Sequence, residues 1–118
     1  MKYDLEDRLI KFAAAIIELA ESLPNIKSLN HLAGQLIRSG TAPALLYGEA
    51  QAAESRADFI HKMKLCLKEL RETSINIKII QLRQPPHSSN LPKVLEENKE
   101  LIAIFTSSTK TAASKTIA

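Results

Sequence analysis

The feature that most constrains this chain is a four-and-three spacing of apolar residues, sustained over two long segments. A spacing that averages 3.5 residues keeps these side chains on one side of an α-helix, where a neighbouring helix can cover them. The sequence therefore predicts long helices packed at shallow angles. The positions are Leu5, Leu9, Phe12, Ile16, Leu19 and Leu23 in the first segment, and Phe59, Met63, Cys66, Leu70, Thr73, Ile77 and Ile80 in the second.

Both segments begin with residues that are typical of helix N-termini. Asp4 precedes the first segment, and Ser55 precedes the second with Asp58 three residues later, as in a capping box. Pro24 and Asn25 end the first helix. The turn-rich sequence 83–92 ends the later one.

A helix between these two is predicted from a weaker pattern that contains glycine and proline. It starts near Ser28 or Asn30, and its seam continues at the same spacing through Gly40 and Pro43. Small residues around Gly40 would let another helix approach closely, and Pro43 is expected to bend the helix. A phosphate-binding loop is disfavoured, because neither Walker nor GxGxxG spacing is present. The seam positions are Leu29, Ala33, Leu36, Gly40, Pro43 and Tyr47.

A fourth helix is predicted from about Leu91 to Thr106, followed by a flexible tail over residues 109–118, which has no apolar period. Its apolar stripe is Val94, Leu95, Ile102 and Phe105. Four helices with short connections predict an all-α protein, an antiparallel up-down-up-down four-helix bundle, as a single domain over residues 1–108.

Composition excludes several classes of protein. The single Cys66 excludes an internal disulfide framework, and no segment is apolar for long enough to span a membrane. Acidic residues near the N-terminus argue against a signal peptide, so a cytoplasmic protein without membrane partners is predicted. A di-metal site in a helical bundle needs Glu-x-x-His motifs, and the sequence contains none. We therefore expect no metal, no other cofactor and no catalytic residue.

Two features of the third helix predict binding partners. Ile75, Ile79 and Leu82 lie away from the seam, so the end of this helix is apolar nearly all round, which predicts self-association. Residues 56–83 also contain seven basic and three acidic residues, a local excess of four positive charges. We predict weakly sequence-specific RNA or DNA binding, with an ordinary solvated face as the alternative. The basic residues are Lys64, Lys68, Arg71 and Lys78, with Lys62 nearby.

A set of polar residues on the second and third helices predicts a network between them. It contains Gln35, Arg38, Glu49, Glu69 and Glu72. Arginine–glutamate pairs would fix the register between helices or between subunits. The alternative is a polar cluster that binds a ligand.

Four stretches together resemble the four-helix-bundle proteins encoded in intervening sequences of bacterial 23S ribosomal RNA genes. They are YDLEDRLIKFA (3–13), QLIRSGTA (35–42), Glu49–Ala50 and ESRADFIHKMKLCLKELRET (54–73). The resemblance implies a four-helix bundle that assembles as a homopentamer, without established catalysis and with suspected nucleic-acid binding. The accessory proteins of diversity-generating retroelements are similar. They are basic pentamers that engage a reverse transcriptase and nucleic acid.

The chain departs from this family at several positions. Ala42, Ala44 and Leu46 stand where the family usually has Ser, Gly and Asn, and Asn76 stands where it often has Trp. No function that rests on that Asn or Trp is therefore carried over.

Two other functions stay open at this stage. The first is a protein–protein interaction module without nucleic-acid binding, in which the apolar end of the third helix and the kinked second helix receive another protein. The second is a small helical ribonuclease using Arg56 and His61, whose spacing allows acid–base chemistry but directs the two side chains differently.

Overall fold

The protein is described by a computed structural model that covers residues 4–83 and 90–117. It contains four α-helices, and no strand occurs in these two ranges. Each helix contacts the next along the chain, and α4 returns to contact α1. The predicted all-α four-helix bundle is therefore confirmed. The helices are α1 (Leu5–Glu21), α2 (Lys27–Gln51), α3 (Arg56–Arg83) and α4 (Leu91–Ile117).

Polar contacts between the helices show that neighbours run in opposite directions. Glu49 near the end of α2 contacts Lys62 near the start of α3, whereas Arg38 in the middle of α2 contacts Glu69 further along α3. The same reversal of numbering relates α1 and α4. The bundle is thus antiparallel, as short connections require.

The predicted seams of α1 and α3 lie in the core, where they meet buried residues of α2 and α4. Every seam residue of these helices is buried except Leu23 and Phe59, which are partly buried and pack against the same core. The buried members are Leu5, Leu9, Phe12, Ile16, Leu19, Met63, Cys66, Leu70, Thr73, Ile77 and Ile80. Because one stripe of each helix is covered, the remaining faces are open to solvent or to other molecules.

The predicted N-terminal caps of α1 and α3 are confirmed. The Asp4 carboxylate accepts a hydrogen bond of 3.0 Å from the backbone N–H of Asp7. The Ser55 hydroxyl oxygen likewise accepts one of 3.0 Å from the N–H of Asp58. These bonds satisfy N–H groups that have no partner within the helix, so they fix where α1 and α3 begin.

The second helix is continuous through Pro43, and Gly40 lies at its closest approach to α1. A Cβ atom added to Gly40 would lie 2.6 Å from Cγ2 of Ile16, a distance that real side chains do not adopt. Gly40 and Pro43 are both buried. A helix narrowed for close packing, rather than a ligand-binding loop, is therefore what this part of the sequence encodes.

The fourth helix is longer than predicted. It continues to Ile117, so the predicted end near Thr106 is wrong, and the part of segment 109–117 expected to be a loose tail is helical. The four-and-three spacing persists, but polar or small residues fill several of its positions. Leu95 and Ile102 of the predicted stripe are only partly buried. The buried positions are Leu91, Val94, Asn98, Leu101, Phe105, Thr109 and Ala112.

Two further sequence predictions concern the segment between α3 and α4 and the ability of a helix to cross a membrane. Most of the turn-rich segment 83–92 lies outside the described residues, between the end of α3 at Arg83 and the start of α4 at Leu91. None of the helices within residues 4–83 and 90–117 is long and apolar enough to cross a membrane.

Candidate functional site: the outer face of α3

The side of α3 that points away from the bundle carries a second four-and-three series. At about 100° per residue, these positions lie opposite the buried seam. All of them are exposed. We call this surface the outer face of α3, and it consists of Lys64, Lys68, Arg71, Ile75, Lys78, Ile79 and Leu82.

Four of the five predicted nucleic-acid-binding residues lie on this face. They are exposed, and none of them has a hydrogen-bond or ion-pair partner among the described residues. Their positive charges are therefore available to an anion from outside the chain. These residues are Lys64, Lys68, Arg71 and Lys78.

The fifth predicted residue, Lys62, lies elsewhere. Its ammonium nitrogen is 2.6 Å from a carboxylate oxygen of Glu49 on α2. The hydrogen bond to Glu49, and then its charge, raise the pKa of Lys62 above the ordinary value. Because this ammonium already has an anionic partner, Lys62 is less available to an external anion than the outer-face lysines are.

The C-terminal half of the outer face is apolar. Ile75 is 62% exposed, Ile79 46% and Leu82 88%. The sequence identified these three residues as surplus to the core, and the bundle leaves them uncovered. Exposed side chains of this size, grouped on one face, are typical of a surface that another molecule covers.

The predicted polar network is divided into two clusters. Arg38 donates to Glu69 over 3.1 Å and also pairs with Glu72, while Gln35 accepts a long contact of 3.5 Å from Arg38. Glu49 is apart from this cluster, paired with Lys62. Both clusters join α2 to α3 within one chain, and Arg38 is half exposed, so each pair contributes modestly to stability.

A stronger ion-pair cluster was not predicted from the sequence. Arg8 of α1 donates to both carboxylate oxygens of Glu97 on α4, over 2.6 and 2.7 Å, and to Glu100 over 2.8 Å. This bidentate arrangement joins α1 to α4, which pack less extensively than the other neighbouring helices. Eighty-nine positions separate Arg8 from Glu97. The one sequence signal was that Arg8, a charged residue, stands next to the seam residue Leu9, where a partner on a neighbouring helix is within reach.

An apolar groove lies beside the outer face, between the start of α2 and the end of α3. Its lining includes the apolar residues Ile26, Leu32 and Ile79 and the basic residues Lys27 and Arg83, together with Ser28 and His31. No acidic residue lines this groove among the described residues. Because Ile79 belongs to both, the groove extends the apolar half of the outer face. Its charged lining residues, Lys27 and Arg83, are both positive.

The side chains of α3 that could take part in chemistry, Cys66, Arg56 and His61, lie in different surroundings. Cys66 is fully buried, and desolvation raises the pKa of its thiol to about 12, so the thiol stays protonated at neutral pH. Arg56 and His61 are exposed near the start of α3, and no polar contact joins them. Within residues 4–83 and 90–117, no group of three potential metal ligands is found.

Comparison with known proteins finds similarity to solved structures. No protein-family model matches the sequence, and no curated protein does. A crystal structure of a protein of unknown function from Bacteroides thetaiotaomicron, of the S23 ribosomal protein family, matches with a TM-score of 0.82. The chain is similar to this S23-family protein. The two are 28% identical over 91% of this chain and 99% of the other.

This likeness extends over nearly the whole of both proteins, so it concerns the complete bundle rather than one helical hairpin. It agrees with the resemblance to a four-helix-bundle family. It does not bear on the likeness to retroelement accessory proteins. The function of the relative is unknown, so the functional argument rests on the surface of this chain.

Proposed function

We propose that this chain is a non-enzymatic, self-associating four-helix scaffold that binds RNA electrostatically, and that it belongs to the 23S rRNA-intervening-sequence proteins. The observation that carries the RNA-binding proposal is the line of four exposed cations on the outer face of α3, without partners among the described residues. The S23-family relative supports the family assignment through fold and 28% identity.

The spacing of these cations suits a phosphate backbone. Lys64 and Lys78 are fourteen positions apart, which corresponds to about 21 Å along a helix. Several successive phosphates can therefore contact one subunit, and each contact releases a counterion. Repetition of the line in an oligomer would raise the affinity further, because several lines would engage one strand.

The same face predicts weak sequence preference. It carries no aromatic side chain on which a base could stack, and aromatic residues make up only 4% of the chain. Binding would then depend on charge and fall steeply with salt. Binding to a reverse transcriptase, as in the retroelement accessory proteins, would extend this proposal. It is suggested by the family resemblance alone.

The test is fluorescence anisotropy of a labelled, mixed-sequence single-stranded RNA at several salt concentrations. A Lys64→Gln/Lys68→Gln variant removes two charges from the outer face of α3. A matched Lys99→Gln/Lys110→Gln variant removes two exposed charges from α4. We expect the first variant to bind several-fold more weakly. The magnitude of its slope of log K against log salt should fall by about 1.4, since each of the two lost single-strand contacts contributes roughly 0.7.

The matched variant should bind like the wild type. No measurable binding by the wild type at about 50 mM salt, or equal losses in both variants, would contradict the proposal. Equal losses would mean that only net charge matters and that the outer face of α3 is not a binding site.

A second candidate is a protein-interaction module without nucleic-acid binding. The observation that favours it is the apolar half of the outer face, continuous with the groove between α2 and α3. In that case RNA binding would be absent even at low salt. A Leu82→Lys substitution would then abolish pull-down of a protein partner, while Lys64→Gln/Lys68→Gln would leave it intact.

A further inference from the structure

The outer side of α1 also carries uncovered apolar residues. Ile10 is 52% exposed and Ile17 is 38% exposed, and Ala14 between them is exposed too. Glu6 and Glu21 continue the same four-and-three series at its two ends, and both are exposed. We call this series, with its apolar centre and acidic ends, the outer face of α1.

The charge around this face is opposite in sign to that of α3. Residues 4–21 contain five acidic and two basic residues. Both basic residues are engaged, because Arg8 pairs with Glu97 and Lys11 pairs with Asp7 over 3.0 Å. Two uncovered apolar faces of the molecule are thus bordered by opposite charges. Complementary charge sets the orientation and the rate of association more than its final affinity.

The bundle places these two faces on different sides of the subunit. Both α1 and α3 contact α2 and α4, but they do not pack against each other, so they occupy diagonal corners. The outer faces of diagonal helices point away from one another. One chain therefore cannot bring its own two faces together, although two copies can.

We propose that the outer face of α1 in one copy packs against the apolar half of the outer face of α3 in the next copy. This inference rests on the proposed self-association and specifies its surfaces. Because two different surfaces meet, the contact is heterologous, and each added copy leaves one free face of each kind. Such a contact closes into a ring where the rotation between copies allows it.

Helix lengths allow this contact to coexist with RNA binding. The 17 residues of α1 span about 26 Å, whereas the 28 residues of α3 span about 42 Å. A neighbouring α1 seated on Ile75, Ile79 and Leu82 therefore leaves the first turns of α3 uncovered. Lys64 and Lys68 remain accessible there, while Arg71 and Lys78 border the contact.

The experiment uses two complementary variants of the full chain, with native mass measured by light scattering. Ile10→Lys/Ile17→Lys disables the α1 face, and Ile75→Lys/Ile79→Lys disables the α3 face. All four positions are exposed, so the bundle itself should fold, which circular dichroism checks. The matched control is Leu45→Lys on α2, where an apolar side chain is 70% exposed outside both faces.

We expect the wild type and the control to be multimers of equal mass, and each disabled variant to be a monomer. An equimolar mixture of the two disabled variants should give a heterodimer and nothing larger, because only one intact contact remains between them. Single substitutions Ile17→Lys and Ile79→Lys give the same test should a double variant fail to fold.

The outcomes separate this inference from the proposed function. A wild type that is monomeric at all concentrations overturns the proposed self-association together with the inference. A wild-type multimer whose mass is unchanged by Ile10→Lys/Ile17→Lys overturns the inference alone. Disabled variants that stay monomeric when mixed overturn the heterologous pairing, since that pairing predicts one intact contact.

Discussion

At the scale of single residues, Gly40 decides how closely α1 and α2 approach. The side chain of Ile16 fills the space where a Cβ of Gly40 would lie, at 2.6 Å from Cγ2 and 2.8 Å from Cγ1. Ile16 is fully buried, so it cannot move away without disturbing its neighbours. The absence of a side chain at Gly40 is therefore a packing requirement.

We expect Gly40→Ala to lower the free energy of unfolding by about 1–3 kcal/mol, the usual cost of forcing an extra methyl group into a packed core. Gly34→Ala is the matched control, because nothing lies within 4 Å of its added Cβ. That substitution should raise the free energy of unfolding by about 0.5–1 kcal/mol, since alanine is the better helix former. Urea unfolding followed by circular dichroism measures both, and equal effects would contradict the packing argument.

Asn98 shows what residue types alone conceal. It is fully buried at a seam position of α4, and its side-chain amide donates to the backbone oxygen of Leu70 on α3 over 3.1 Å. In the sequence alone, a polar residue at such a position is expected to face solvent. Asn98 was therefore not included in the predicted apolar stripe of α4. Its burial is possible because the amide finds an acceptor on a neighbouring helix, which only the packed bundle supplies.

At the scale of helices, α4 was predicted least well. Its seam beyond Phe105 is formed by Thr109 and Ala112, which are each 8% exposed. Thr109 also donates to the backbone oxygen of Phe105 over 2.7 Å, which satisfies its hydroxyl within the helix. Because neither residue is strongly apolar, the sequence shows no apolar spacing beyond Phe105, although the helix continues and this side of it stays buried.

This extension of α4 can be tested by truncation. A chain ending at Ser108 lacks Thr109 and Ala112, whereas a chain ending at Ser114 retains both. We expect the shorter chain to lose about 1–2 kcal/mol of unfolding free energy, which corresponds to one or two buried methyl groups. Its helical circular dichroism signal should also fall by more than the removed residues alone account for. If chains ending at 108 and 114 are equally stable, residues 109–114 contribute nothing to the bundle.

Ion pairs between helices were predicted only in part. Arg38, Glu69 and Glu72 could be paired from the sequence, because the α2–α3 hairpin brings their faces together in a simple antiparallel register. Arg8 and Glu97 could not, since their contact depends on how α4 returns to α1. Predicting that contact requires the crossing of four helices rather than the pattern of any two.

At the scale of the whole molecule, the proposed association through the two outer faces would make stability depend on protein concentration. If native copies associate and unfolded chains do not, mass action shifts unfolding toward higher temperature as concentration rises. Between about 1 and 100 μM protein we expect the unfolding midpoint of the wild type to rise by roughly 5 °C or more. Differential scanning calorimetry measures it. The Ile10→Lys/Ile17→Lys variant should show one midpoint at all concentrations, and a constant wild-type midpoint would argue against association.

The likeness to the S23-family structure fits this view of the molecule. The fold is shared at a TM-score of 0.82 with only 28% identity, which shows that the bundle tolerates extensive change. Apolar residues of suitable volume in a suitable pattern are enough to specify a fold, even when many side chains differ. Function must therefore be sought on the surface, where this chain places basic and apolar residues on one side of α3.

The sequence by itself determined the four helices, together with the N-terminal caps and buried sides of α1 and α3, because local periodicity and capping chemistry act over a few residues. It also identified Ile75, Ile79 and Leu82 as surplus to one core. Only the tertiary structure decided the length of α4, the burial of Asn98 and the pairing of Arg8 with Glu97. It also placed Lys62 with Glu49 rather than with the other lysines. These features depend on which faces meet in three dimensions, and long-range contacts of that kind leave no periodic signal in a single sequence.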